Sequence, residues 1–447
     1  MLLRDRGTKY AAIITASFIG LYIAGCLLRG AVSDALPSIG SIPRIGLFCE
    51  IAAMVAAMAY IIYWAIYHKL LSQGPRYAAT HALTLWRLRR ALLDVGAGYV
   101  VQRYSGAEKV VALPRIKLSF EPDMLRGVVR IRNHIKYNTD LEHINLSSAL
   151  GRYIVINQYL DDSGNWYIFN IMDSKANRQL EFDSYERYIT YCRQNNGLDG
   201  LLVIDRWTTV PLRSMLLVGE TGSGKTYALY SLILQLLNWH LPPVLLYFAD
   251  PKNSSLYVMG QRIAPDRTAE DILEIISLLE QFHAQMQERK VALKEKLMER
   301  LDSDYRYWRM PAHVFIFDEY ASFQGVVNTL DKTTRDKVAM LMRNIVLQGR
   351  QLGFFLWIVM QKSGSNDIPT AIRDNLLWKV VLGNATNTTY ITTFEHASDL
   401  PKYDFQPGYG LHTCQGLAND PEIIAFPTLK FDILAAAEEA GKGPPVM

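Results

Sequence analysis

Eight consecutive residues, Gly219-Glu220-Thr221-Gly222-Ser223-Gly224-Lys225-Thr226, have the composition of a phosphate cradle. In the spacing GxxxxGKT the glycines let successive backbone N–H groups turn inward around phosphate oxygens, and the helix that follows adds a favourable dipole for the anion. Lys225 is placed to reach the β- and γ-phosphates and Thr226 to ligate Mg²⁺, so ATP and Mg²⁺ are the expected ligands. The elements that must hold the loop are present: an apolar strand, Ser214 to Val218, runs into it and an apolar helical run, Tyr227 to Trp239, leaves it. A glycine-rich turn without nucleotide would not need both neighbours.

A second element ends in acids. The apolar run His313 to Phe317 delivers Asp318 and Glu319 to the carboxyl edge of an open α/β sheet, where such folds bind ligands. There Asp318 would hold the Mg²⁺ and Glu319 would polarise an attacking water, which favours hydrolysis over simple transfer. Three more apolar runs complete a sheet: Val244 to Ala249 ending in Asp250-Pro251-Lys252, Phe354 to Met360 ending in Gln361, and Leu376 to Leu382. Unbroken apolar runs are the mark of parallel strands buried on both faces. Between them Thr268-x-x-Asp271 reads as a capping-box start of a long helix, whose Ile272, Ile275, Ile276, Leu279, Phe282 and Met286 keep helical spacing and belong to the core.

The chain of 447 residues carries a net charge of +4, with half its residues hydrophobic and a fifth charged. That excludes a disordered chain, and the near-neutral balance confines any nucleic-acid contact to a local surface. Four scattered cysteines without CxxC spacing exclude a disulfide scaffold and a zinc ribbon. Two apolar stretches, Tyr10 to Leu28 and Ile45 to Tyr67, each approach the length of a bilayer-spanning helix, with Glu50 near one end of the second. Arg4, Arg6 and Lys9 precede the first, and Lys69, Arg76, Arg87, Arg89 and Arg90 follow the second, so both termini are expected on the cytoplasmic side. Residues 71–200 read as a small α+β docking or oligomerisation domain, with strands over Arg115 to Phe120 and Gly127 to Arg132 and a hairpin over Tyr153 to Ile171. Its His134 and His143 lack metal spacing, and Arg126, Arg130, Arg132 and Lys136 read as a solvated basic face.

From about residue 200 to 430 the sequence resembles the FtsK/SpoIIIE motor domain of the FtsK–HerA superfamily. The matching pieces come in the family's order: Leu216 to Thr226, Asp250-Pro251-Lys252, Phe315 to Glu319, Gly349-Arg350-Gln351-Leu352-Gly353, Gln361, Ile372 to Asn375, Gln406-Pro407-Gly408-Tyr409-Gly410, and Asp420 to Ile423. The resemblance implies an α/β, RecA-like P-loop domain over residues 201–435 with a mostly parallel sheet, an ATP-driven DNA translocase, and a hexameric ring. It implies that Gln361 senses γ-phosphate loss, with Arg350 the first candidate for a finger reaching the neighbouring subunit's nucleotide, ahead of Arg373 and Arg343. DNA-contacting loops are expected at Lys362 to Asp367 or Thr329 to Lys337.

The layout departs from cell-division members, which carry four spans, a long linker and a winged-helix tail. A two-span hairpin over residues 1–70, a small domain, a motor domain and a short tail over 436–447 resemble TcpA-type coupling proteins of Gram-positive conjugative elements. That resemblance implies a bacterial membrane ATPase feeding DNA, single- or double-stranded, from a relaxase to a type IV secretion channel. The alternatives are a chromosome-segregation pump, a type VII-like protein-secretion ATPase and a non-enzymatic scaffold. Intact Lys225, Asp318 and Glu319 argue against the last.

Overall fold

The computed structural model describes residues 19–20, 22–27, 42–94, 99–102, 109–133, 141, 144, 146–195, 200–239, 244–362, 368–395 and 404–441. Most of the first apolar stretch, together with His134, Lys136 and His143, lies outside them. The second apolar stretch lies on a helix of 26 residues, Ile42–Tyr67. Among the described residues no helix is long and apolar enough to cross a membrane. The side chains of residues 42–47, 49 and 50, Glu50 among them, are outside the description.

The chain forms two compact units, Met1–Ala176 and Asn177–Met447. In the first, four antiparallel strands lie in the order Ile116–Phe120, Arg126–Arg132, Trp166–Asp173, Tyr153–Leu160. Alternation between buried and exposed positions in Ile116–Phe120 puts Ile116, Leu118 and Phe120 into the core and Lys117 and Ser119 into solvent. The hairpin turns at Asp161-Asp162-Ser163-Gly164, where the Asp161 carboxylate accepts from the N–H groups of Asn165 and Trp166 at 2.8 and 2.9 Å. Arg130 and Arg132 are exposed, as a solvated basic face requires.

The second unit is built on an eight-stranded mixed sheet. Its order is Thr268–Ala269, Val244–Ala249, Ala312–Phe317, Phe354–Met360, Met215–Gly219, Trp378–Leu382, Tyr409–Cys414, Ala418–Ala425. The first six are parallel and the last two antiparallel. Met215–Gly219, Phe354–Met360 and Trp378–Leu382 are buried at every position, which explains their uninterrupted apolar sequence. The helix Ile272–Glu299 begins without the expected capping box: Asp271 alone caps it, accepting from Leu273 N–H at 2.8 Å. Thr268 is drawn instead into the edge strand beside Phe248.

Residues 177–195, grouped by sequence with the small domain, belong to the second unit. The reason is a buried polar network on the helix Tyr185–Asn195. The Tyr188 hydroxyl donates to Ser231 O at 2.7 Å and accepts from Gln235 Nε2 at 2.8 Å, while Gln235 Oε1 accepts from Val203 N–H at 2.8 Å. The Tyr188 hydroxyl finds both its partners on the helix Lys225–Leu237, which fixes the helix Tyr185–Asn195 against it.

Candidate nucleotide site

All the parallel strands end at one edge of the sheet, and strand order decides which side chains meet there. The strand Phe354–Met360 lies between Ala312–Phe317 and Met215–Gly219. Gln361 therefore emerges between the acidic pair and the P-loop. Its Nε2 donates to Glu319 Oε1 at 2.5 Å. The other carboxylate oxygen of Glu319 faces Lys252 Nζ at 3.3 Å. Glu319 is thus clasped from both sides by residues that follow two other strands. It also sits at φ 47°, in the left-handed region, at the start of the helix Tyr320–Val327. Non-glycine residues hold that conformation at a cost of about 1–3 kcal/mol, and such strain gathers at functional sites.

The P-loop leaves Gly219 and enters the helix Lys225–Leu237 at Gly224, φ 95°. A Cβ on Gly224 would stand 2.7 Å from Gly408 N, so this position requires glycine for both its backbone angle and its neighbour. Gly408 N–H in turn donates to Ser223 O at 2.8 Å. The Gln406–Gly410 turn thereby buttresses the loop from a point nearly two hundred residues away, a role with no local signal beyond the turn residues themselves. Lys225 Nζ folds back to donate to the carbonyls of Gly219 and Glu220, the latter at 3.1 Å. Burial holds the Lys225 ammonium below its usual value, against the pull of Glu319 and Asp318. Glu220 lies 3.9 Å from Lys362 Nζ at the surface. Thr221, Gly222 and Thr226 are exposed.

The cradle fits a phosphate chain on the chain's own groups. No side chain caps the N-terminus of the helix Lys225–Leu237, which leaves its first N–H groups to a ligand. Ser223 Oγ is buried without a hydrogen-bond partner, and a Cβ on Gly222 would meet nothing within 4 Å.

Asp318 stands beside Asp250, the residue that ends the neighbouring strand. Asp250 is fully buried and its carboxylate accepts from Lys252 N–H, Ser254 N–H, Ser254 Oγ and Tyr257 N–H at 3.1, 2.8, 2.6 and 3.2 Å. Fixed in place by those donors, it opposes ionisation of its neighbour. Burial and, second to it, Asp250 push Asp318 up to about 6. A carboxyl raised in the folded state stabilises the fold below its unfolded value near 4, and that contribution is lost as pH rises through 6. Asp318→Asn is therefore expected to stabilise the ligand-free protein by about 2–3 kcal/mol at pH 7.5, with the gain falling by about half at pH 5. Chemical denaturation at the two pH values measures it. An equal gain at both would show that Asp318 is not raised.

Arg350 is not brought to this edge. It lies on the helix Lys332–Leu352, which turns at Gly353, φ 78°, directly into Phe354. A seven-residue strand then separates Arg350 from Gln361, roughly 20 Å at about 3.3 Å per residue. Arg343 and Arg350 are exposed on the same helix, and Arg373 is largely buried beside Asp374 at 3.9 Å. Any action of Arg350 on a nucleotide would need a second copy of the chain. Of the expected DNA-contacting loops, residues 363–367 lie outside the described residues. Thr329–Lys337 is mostly helix, because Asp331 caps Thr334 and Lys337 pairs with Glu280 at 2.6 Å.

Residues 181–362 match the model of the FtsK/SpoIIIE family. The Ftsk domain-containing protein YdcQ of Bacillus subtilis (strain 168) is 26% identical over 264 residues, which is 57% of this chain and 54% of that protein. The chain thus spans about half the length of that curated relative. Among solved structures, the pCW3 conjugation coupling protein TcpA, monomer form with ATPγS, aligns at a TM-score of 0.47 and 17% identity over 79% of this chain and 96% of that one. EssC (ATPases 2 and 3) from Geobacillus thermodenitrificans aligns at 0.39 and 16% identity over 53% of this chain and 45% of that one. The span that matches the FtsK/SpoIIIE family model holds the P-loop, Asp318, Glu319 and Gln361.

Proposed function

We propose that this chain is an ATP-driven DNA translocase, anchored at a bacterial membrane and feeding conjugative DNA to a secretion channel. The observation that carries the nucleotide part is the convergence of P-loop, Asp318 and the Gln361–Glu319–Lys252 clasp on one sheet edge. The backbone N–H groups of Gly222 to Thr226 would bind the phosphates, and Lys225 would exchange its two carbonyl partners for phosphate oxygens. Thr226 and Asp318 would hold Mg²⁺, which when bound neutralises charge on the phosphates. Among the described residues no cluster of three metal-ligating side chains occurs, so the remaining ligands would be water and substrate. Glu319 would orient the attacking water and accept its proton. Gln361 contacts Glu319 directly, so a movement of the strand Phe354–Met360 would release or restrain the base.

Membrane anchoring draws support from the helix Ile42–Tyr67, which exposes a run of apolar side chains: Phe48, Val55, Met58, Ile61, Ile62 and Ile66 are each more than half exposed. A hexameric ring would let Arg350 of one subunit approach its neighbour's nucleotide, and a relaxase and channel proteins would be the partners. The test is the ATP hydrolysis rate with no DNA, single strands or duplex. Stimulation several-fold by either polymer is expected. A rate indifferent to both would favour a protein cargo and overturn the DNA reading.

A further inference from the structure

The edge of the sheet opposite the nucleotide site holds a cavity of about 770 Å³. It lies within the second unit, where the end of the helix Ile272–Glu299 and the connection over residues 300–311 meet the end of the helix Lys332–Leu352. Its walls are pinned. Tyr305 N–H donates to Gln351 O at 3.0 Å, Gln351 Nε2 to Ser303 O at 3.1 Å, and Trp308 Nε1 to Ser303 Oγ at 2.8 Å. A cavity closed by such contacts is part of the fold rather than slack in a loop.

Its chemistry is unbalanced. Five basic side chains line it, Arg213, Lys290, Lys294, Arg306 and Arg350, against two acids. One acid, Asp304, is taken by Arg306 at 2.8 Å. Arg213 and Arg350 have no carboxylate partner among the described residues, and Arg213 Nε is buried without any hydrogen bond. Burial and the facing Arg350 hold the Arg213 guanidinium below its usual value, so like charges are held together without compensation. A buried donor left unpaired is destabilising, and an incoming acceptor would relieve that. Between the cations the lining is leucine-rich. Leu293 and Leu352 are buried, while Leu301 and Leu347 on the lip are 84% and 55% exposed. The mouth is open to solvent. A small-molecule site encloses most of its ligand, whereas an open, apolar-lipped groove with unpaired guanidiniums suits an occupant that continues beyond it.

We propose that this cavity is a docking site for an acidic amphipathic segment of a partner protein, seating a leucine-class side chain on the Leu293–Leu352 floor against the Leu347 lip and a carboxylate between Arg213 and Arg350. The planar guanidinium fork donates two parallel N–H bonds to a carboxylate, which lysine alone would not specify. The site is separate from the chain's own P-loop, and an occupant would compete with the approach of Arg350 to a neighbouring subunit's nucleotide.

Binding of a fluorescein-labelled peptide of alternating Glu and Leu pairs to the full-length chain tests this, read by anisotropy. The all-Gln-for-Glu analogue serves as the uncharged control and inorganic pyrophosphate as a competitor. The acidic peptide should bind at least tenfold tighter than its Gln analogue. Arg213→Gln and, separately, Leu347→Glu should each weaken it at least tenfold, with binding of a fluorescent ATP analogue unchanged. Leu347 is exposed, so its replacement leaves the core untouched and guards against a folding artefact in Arg213→Gln. Equal affinity for the two peptides, or no loss in either variant, overturns the proposal. Displacement by micromolar pyrophosphate, with no need for leucine, would mark a small-anion site instead and overturn it as well.

Discussion

Lys225→Ala is expected to lower ATP hydrolysis at least about a hundredfold while the protein stays folded, because removing one preorganised charge from a phosphoryl-transfer site costs about 10²–10³ in rate. The fold should tolerate the change. Lys225 contributes only two hydrogen bonds, both to carbonyls of its own loop, and burial already opposes its charge. The apolar face of its helix, with Ala228, Leu229, Leu232, Ile233 and Leu236 buried, is untouched. Steady-state hydrolysis and a thermal melt on the same preparation check it. Hydrolysis within a factor of about three of wild type would remove the P-loop from the mechanism, and with it the translocase reading.

Glu319→Gln separates binding from chemistry. The substitution keeps the side chain's shape, and its amide oxygen can still accept from Gln361. It loses the negative charge that faces Lys252 and the capacity to take a proton from water. Hydrolysis is expected to fall by about 10²–10⁴, the usual worth of a positioned general base. Affinity for ATP should stay within a few-fold, since the P-loop supplies the phosphate contacts. Binding of a fluorescent ATP analogue measured beside the hydrolysis rate gives both numbers. Loss of binding equal to the loss of rate would mean that Glu319 holds the site together instead of activating water. The left-handed backbone at Glu319 shows how firmly the position is set.

Legibility followed sequence distance. The P-loop could be read because its chemistry is contiguous: glycines, lysine, threonine, and an apolar strand and helix on either side, all within Met215–Leu237. Asp318 and Glu319 could be read for the same reason, as the two residues that directly follow one buried strand. Gln361 was visible through a resemblance in motif order but not through any local pattern. The Lys252–Glu319–Gln361 clasp joins three strands whose neighbours are set by packing, and no spacing along the chain encodes that order. The buttress of Gly408 behind Gly224 was hidden likewise. Arg350 shows the converse. Its motif is equally plain along the chain, yet the tight turn at Gly353 sends the following strand away from it and leaves it at the far edge.

Local pattern was thus enough to name the groups that can cradle phosphate, hold a metal and polarise water, since hydrophobic period and turn chemistry act over a few residues. Which of those groups touch, which acid is pushed toward neutrality, and which arginines are left facing one another without a counter-charge were settled by strand order and burial. Those are long-range outcomes: desolvation and like-charge proximity exist only once distant segments have closed around a side chain.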